Sequence, residues 1–421
     1  MYESHTEPIP RVRAKHRYAP EVDDEPPAGH GHGHGPPEPA SGRVRVILAV
    51  LLVPFALAAV VGAVLLFHKG GTTSSRATGQ PVRGVVTAVQ AGSCSSQAPI
   101  NAASDSQCRT VTVRMSDGPA PNREVRIVVP IEPSTPRFTT DDKVVLAYAG
   151  GDAADGQSYQ LVDFQRSTPL IVLAVLFALA VLILGRWQGL KALVALGMSF
   201  AVLVLFVLPA IIAGENPLLV AVVGAGLIMF VVLYLTHGLS ARTSTAVLGT
   251  LISLALIGTL GALFSVVTKL TGLDEDTATL VGALGHGIDT RGLLLAGVVI
   301  GALGVLDDVT VTQTSAVWEL RSANPLLGFR QLYRAAARIG RDHVSSAVNT
   351  LVMAYAGAAL PLLLYSSISG VGLGSILSSS SIAQELVRAM VGSIGLVAAV
   401  PITTAIAAAV ATREPAATIQ H

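Results

Sequence analysis

Asp307 and Asp308 have the greatest chemical potential in this chain, because they interrupt an otherwise apolar run. Residues 293–306 are uncharged and apolar, 14 positions in all. A helix needs about 20 residues to cross the hydrocarbon core of a bilayer. A span here must therefore take in the aspartates or stop short of them. A carboxylate at bilayer depth is costly, faces a bundle interior or a water-filled cavity, and marks ion pathways and proton relays. At 3.6 residues per turn, Asp308, Thr312, Ser315 and Glu319 share one stripe, and Asp307, Thr310 and Thr314 lie on the next. Val309, Val311, Ala316, Val317 and Trp318 continue an apolar side; Trp318 suits the membrane interface and Arg321 the water beyond it. Asp308 then lies about two to three turns inside the boundary. The coupling candidates are Asp308, with Asp307, Thr312 and Ser315 beside it. Asn349 in the next apolar run joins them if the two helices are neighbours. A hydrolytic acid pair is disfavoured: adjacent residues project about 100° apart on a helix, and paired catalytic carboxylates come from different elements. The reading is non-enzymatic, with no cofactor and no resident metal.

The elements that must hold these residues are long apolar runs. Eight occur, at 46–67, 170–184, 192–213, 218–235, 246–267, 293–312, 347–365 and 390–410. They explain why only 13% of the 421 residues are charged while 51% are hydrophobic, against about 25% charged in an average soluble domain. The fold class is a polytopic α-helical membrane protein with eight transmembrane helices. Arg11, Arg13, Lys15, Arg17, Arg43 and Arg45 precede the first run; Arg186, Lys191, Arg242, Arg321, Arg330, Arg334, Arg338, Arg341 and Arg413 fall between alternate runs or after the last. Basic residues favour the inside, so both termini are expected in the cytoplasm. Small residues recur in the spans, among them Gly297, Gly301 and Gly304, and are read as sites of close helix approach. The first run, residues 43–69 with its flanks, is an uncleaved anchor, because its core is too long and its leader too distant for a signal peptide.

Residues 1–42 are rich in Pro, Gly, Glu and His and read as a disordered tail, in which His30, His32 and His34 alternate with glycine. Residues 70–167 read as an extracytoplasmic β domain. Runs at 83–89, 110–114, 124–129, 143–148 and 159–164 alternate or stay apolar between Gly and Pro clusters, which suggests an OB-like barrel or a sandwich. Cys94 and Cys108, the only cysteines, lie there and are expected to form a disulfide. No aromatic-plus-basic platform for nucleic acid is present. Residues 168–411 form a seven-helix core, followed by a short tail, 412–421. Within the core, 325–343 reads as an amphipathic helix on the inner leaflet. Its basic stripe, Arg330, Arg334, Arg338 and Arg341, would meet anionic lipid, and Leu326, Phe329, Leu332 and Tyr333 give the apolar side.

The segment Gly301-Ala-Leu-Gly-Val-Leu-Asp-Asp-Val309 with Ser315-Ala316 and Glu319-Leu320 resembles the YibE/F-like membrane proteins, as do Gly340-Arg-Asp342, Asn349-Thr-Leu351, Leu360-Pro361, and Gly392-Ser-Ile-Gly395 with Pro401. The resemblance runs from the second to the eighth span. It implies a bacterial plasma-membrane protein in which one aspartate, at Asp308, is typical and the position of Asp307 is usually apolar. It implies no substrate. Two functions fit these observations: a transporter or permease subunit using the intramembrane carboxylate, or an assembly protein docking a cell-envelope partner through the β domain, with a cytoplasmic partner on the basic helix. No Walker-type phosphate loop is present, so ATP coupling would need a partner.

Overall fold

The computed structural model describes residues 41–68, 79–93, 107–132, 135–273, 278–279, 281–282, 287–368 and 373–414. The histidine run, Cys94 and the acidic residues 274–276 lie outside them. Helix α1 (Gly42–Leu65) is followed by strands β1 (Gln80–Ser93), β2 (Gln107–Met115), β3 (Glu124–Pro130), β4 (Lys143–Tyr148) and β5 (Tyr159–Phe164). Helices α2 (Ser167–Val202), α3 (Leu208–Ile212), α4 (Pro217–His237), α5 (Ala241–Val267), α6 (Thr290–Ala323), α7 (Phe329–Ala358), α8 (Leu360–Ile368), α9 (Leu373–Leu377) and α10 (Ser380–Ala411) follow.

All five expected strands form, antiparallel throughout, in one sheet of order β3-β2-β1-β4-β5. One sheet, not two, makes this a half-barrel and sets aside the sandwich. Alternation puts Val82, Val86, Val111, Val113, Val125, Ile127, Val144 and Leu146 into a single core capped by Phe138 and Tyr159. A bulge between Val86 and Ala88 helps the long β1 serve two partners, β2 and β4. Among the described residues the outer edges of β3 and β5 are not paired with another strand; the short turn Gly156–Ser158 packs against β3. A Cβ on Gly156 would lie 1.9 Å from the Arg126 carbonyl oxygen. Since backbone atoms on both sides must give way, Gly156→Ala should destabilise the half-barrel by about 2–3 kcal/mol, read as loss of protease resistance in this domain. Cys108 is buried near the start of β2, where Gly92 on β1 is its register partner.

Among the described residues six helical stretches are long and apolar enough to cross a membrane, not the eight expected. Two differences account for the change. The expected runs 170–184 and 192–213 form one helical stretch, Ser167–Ile212. It is not straight. Arg186 is left-handed (φ 48°, ψ −124°), and a Cβ on Gly189 would lie 2.3 Å from the Val181 carbonyl oxygen. Eight residues of continuous helix would separate those positions by about 12 Å, so the chain folds back at Arg186. A five-residue π turn, Leu203–Val207, follows. The expected run 347–365 is divided between α7 and α8 at Ala359, two residues before Pro361, whose ring and missing N–H oppose a continuing helix. The expected separate helix at 325–343 starts at Phe329 and is the first half of α7, with no break at Gly340.

The helical core centres on α5, α6 and α10. Ile257, Val298, Ala302, Leu306, Val309, Leu396, Ala399 and Val400 form one buried cluster there. Glycine sets the spacing: a Cβ on Gly395 would lie 2.0 Å from Ile257 Cγ1, and one on Gly249 would lie 2.4 Å from Thr403 Oγ1.

Candidate functional site

Helix α6 positions the acidic pair. Asp289 caps its start, accepting from the Gly292 N–H at 2.9 Å. Arg321 closes its end by donating to the carbonyls of Pro325 and Leu327. Between them the helix runs unbroken for 34 residues through Asp307 and Asp308, about 51 Å at 1.5 Å per residue. That exceeds the hydrocarbon thickness and allows the aspartates to lie at bilayer depth.

The two carboxylates have opposite environments. Asp307 is half-buried, and its Oδ1 is sealed from solvent with no hydrogen-bond partner. Asp308 is exposed. The polar stripe in the sequence points to Asp308 as the interior position, and the packing of α6 explains the reversal. Val298, Ala302, Leu306, Val309, Gln313 and Val317 occupy its most buried side. One flank carries Leu303, Thr310 and Thr314, all buried, and Asp307 follows them. Leu303 and Val311, four residues either side of Asp307, belong to a cluster with Ala225, Met229 and Leu233 of α4. The other flank carries Gly297, Gly301, Gly304 and Asp308, all exposed. Their spacing of four, three and four residues was legible as a shared face, but was read only as close packing.

The polar stripe is partly assembled. Arg242, at the start of α5, donates from Nε to Ser315 Oγ at 3.1 Å, and its Nη1 lies 3.5 Å from Glu319 Oε1. Thr312 is half-buried on the same side. On the Asp307 side, the hydroxyls of Thr310 and Thr250 are 2.8 Å apart, Thr310 Oγ1 donates to the Asp307 carbonyl at 3.3 Å, and Thr314 donates to the Thr310 carbonyl at 2.7 Å. Arg242 and Thr250 are partners that sequence reasoning missed; they come from another helix, and spacing carries no signal for them.

Helices α6 and α7 are antiparallel neighbours. A Cβ on Gly340 would lie 2.7 Å from the Gln313 side chain, and one on Gly301 would lie 3.1 Å from Tyr355 Oη. Gln313, 1% exposed, accepts from Thr404 Oγ1 of α10 at 3.0 Å. Asn349 is not brought into this seam. The inward stripe of α7 is Gly340, Val344, Val348, Leu351 and Tyr355, and Asn349 is exposed outside it. Arg330, Arg334, Arg338 and Arg341 are exposed as one stripe. The opposite side, Leu332 and Ala336, packs on Val317, Ala407 and Ala408, while Leu326 and Phe329 are exposed. The Leu332–Ala336 part of the apolar side is thus covered by α6 and α10.

At the opposite end of α6, Arg388 of α10 pairs with Glu385 at 2.5 Å. A Cβ on Gly297 would lie 3.7 Å from its Nη2, and its Nε is buried with no partner. Among the described residues no cluster of three His, Cys, Asp or Glu side chains could hold a metal ion.

The sequence profile described as YibE/F-like protein matches residues 173–413, more than half of the chain, including the acidic pair, Arg242, Gln313 and Arg388. No curated protein and no solved structure matches the chain significantly.

Proposed function

This chain belongs to the YibE/F-like protein family, and we propose that it is a transporter or permease subunit whose coupling group is the acidic pair of α6. One observation carries the reading: Asp307 Oδ1 is buried without a partner. More than nine in ten buried polar groups in proteins are hydrogen-bonded. A carboxylate whose task was to hold helices together would be paired across a seam. The α6 seams are instead formed by Gln313 with Thr404, Thr310 with Thr250, and the close approach at Gly340. An acid left with a free acceptor inside a span is suited to a proton or small cation that arrives and leaves. Asp308, exposed one residue away, is the group that exchanges with water, and Asp307, half-buried with its Oδ1 sealed, is the store. Loading Asp307 removes a charge from the flank that meets α4, which is the change that lets α6 and α4 repack between access states.

In this proposal the chain lies in a bacterial plasma membrane with Arg186, Lys191, Arg242 and the basic stripe of α7 on the cytoplasmic side. The reversal at Arg186 and the α7–α8 pair then supply the crossings needed for eight. The half-barrel lies outside, where a Cys94–Cys108 bridge would persist; a mobility shift of the 79–166 region on reduction is the expected sign. A second reading, docking of an envelope partner, is favoured by the unpaired β3–β5 seam, beside which Ile131 and Val162 are exposed.

A strain lacking the protein tests the two readings. With equal amounts in the membrane, Asp307→Asn should fail to restore the lost phenotype, and a chain lacking residues 79–166 should restore part of it. Full restoration by Asp307→Asn, with none by the truncated chain, would reject coupling in favour of docking.

A further inference from the structure

Asp308 is exposed at mid-length on α6, yet a carboxylate at bilayer depth does not face lipid. Something polar must cover it. Charged groups mark both ends of the face that bears it: Arg388 with Glu385 at Gly297, and Arg242 with Ser315 and Glu319. Gly297 and Ser315 are about 27 Å apart along the axis, close to the thickness of a hydrocarbon core, about 30 Å. We infer that Asp308 opens onto a water-filled groove along α6, running between the Arg388–Glu385 pair and the Arg242–Glu319 pair, through which protons or a small hydrated cation reach the acidic pair. The bonds from Arg242 to Ser315 and Glu319 close it at one end.

Two other covers are disfavoured by the same residues. Lipid-facing surface in this protein looks different: Leu170, Ile171, Leu173 and Leu176 of α2 are all more than half exposed and wholly apolar. A second copy of the chain would have to bury two ion pairs and Asp308 together, and the desolvation of such pairs outweighs much of their attraction. Water imposes no such cost. The glycines supply the width. A Cβ on Gly304 would meet nothing within 4 Å, and one on Gly301 would meet only the tip of Tyr355. The inference deepens the transport reading, but water access is measured without any transport assay, so either can fail alone.

The test uses the full chain in proteoliposomes, with the natural chain as background and trimethylammonium-ethyl methanethiosulfonate as a membrane-impermeant probe. Its attack by a cysteine thiolate forms a mixed disulfide and releases methanesulfinate. Because thiolates form in water and not in lipid, Gly304→Cys should react at least about tenfold faster than Leu176→Cys on α2. Adding Arg242→Gln to Thr312→Cys should speed its reaction severalfold from the Arg242 side, and leave Leu176→Cys unchanged. Equal rates for Gly304→Cys and Leu176→Cys, in protein that retains its chromatographic profile, would overturn the groove. So would efficient oxidative cross-linking of Gly304→Cys between copies, which would assign the face to a second chain. An unchanged Thr312→Cys rate in the Arg242→Gln background would overturn the closure.

Discussion

Asp307→Leu is expected to make the protein more stable, by about 1–3 kcal/mol, while abolishing its activity. The stability gain follows from the sealed Oδ1: a buried acceptor without a partner carries its desolvation cost unrelieved, typically 1–3 kcal/mol. Leucine suits the local surroundings, since Leu303 and Val311 four residues away already pack in an apolar cluster with α4. Thermal unfolding in detergent, followed by intrinsic fluorescence, measures the gain, and the complementation assay measures the loss. Asp307→Asn separates charge from polarity. It keeps a buried polar group, so the stability gain should be small, but it cannot take up a proton, so activity should still be lost. A more stable inactive variant is what a site kept for function predicts. If Asp307→Leu instead lowered stability by several kcal/mol, Asp307 would be a structural group with an overlooked partner.

Gly395→Ala should lower stability by up to about 2 kcal/mol net, because the added methyl overpacks a closed contact. The new Cβ would lie 2.0 Å from Ile257 Cγ1 and 2.3 Å from its Cδ1, and Ile257 is fully buried at the α5–α10 crossing. The helix-propensity gain of alanine over glycine, about 1 kcal/mol, works in the opposite direction and offsets part of an overpacking cost of roughly 1–3 kcal/mol. The double variant Gly395→Ala with Ile257→Ala should recover part of the loss, because truncating the isoleucine opens the space the methyl needs. A double-mutant cycle in thermal unfolding reads this coupling directly. Additive losses would mean that α5 and α10 separate without cost, and that the spacing around α6 is not held by this crossing.

The sequence disclosed the architecture wherever a signal was local. Alternation located all five strands, and unbroken apolar length located the major helices. What it could not supply were features set by neighbours. A left-handed Arg186 has no compositional mark, so the reversal of α2 was inferred as a loop between two runs when it is a tight turn within helix. The stretch at 325–343 is two-sided in sequence, but Leu332 and Ala336 on its apolar side meet α6 and α10, a contact that periodicity alone cannot distinguish from a lipid surface. The acidic pair stands out in the sequence as a candidate, since charge inside an apolar run needs no partner to be noticed. Which aspartate is sealed was not legible. The polar stripe through Thr312, Ser315 and Glu319 drew attention to Asp308, yet a polar stripe marks the side of a helix that faces something polar, and here that side is the open one. Asn349 was selected by residue type, and one position beyond Val348 it lies exposed outside the α6–α7 seam.

The most direct test of the central claim is carbodiimide labelling of the protein in membranes, followed by peptide mass spectrometry. Dicyclohexylcarbodiimide partitions into apolar regions and adds to protonated carboxyls, giving a stable N-acylurea. If Asp307 is a sealed acid that takes up a proton, the adduct should appear on Asp307, and the Asp307→Asn protein should show none on the same peptide although Asp308 is still present. An adduct at Asp308 and not at Asp307 in the natural protein, or no adduct on that peptide, would contradict a proton-holding role for Asp307.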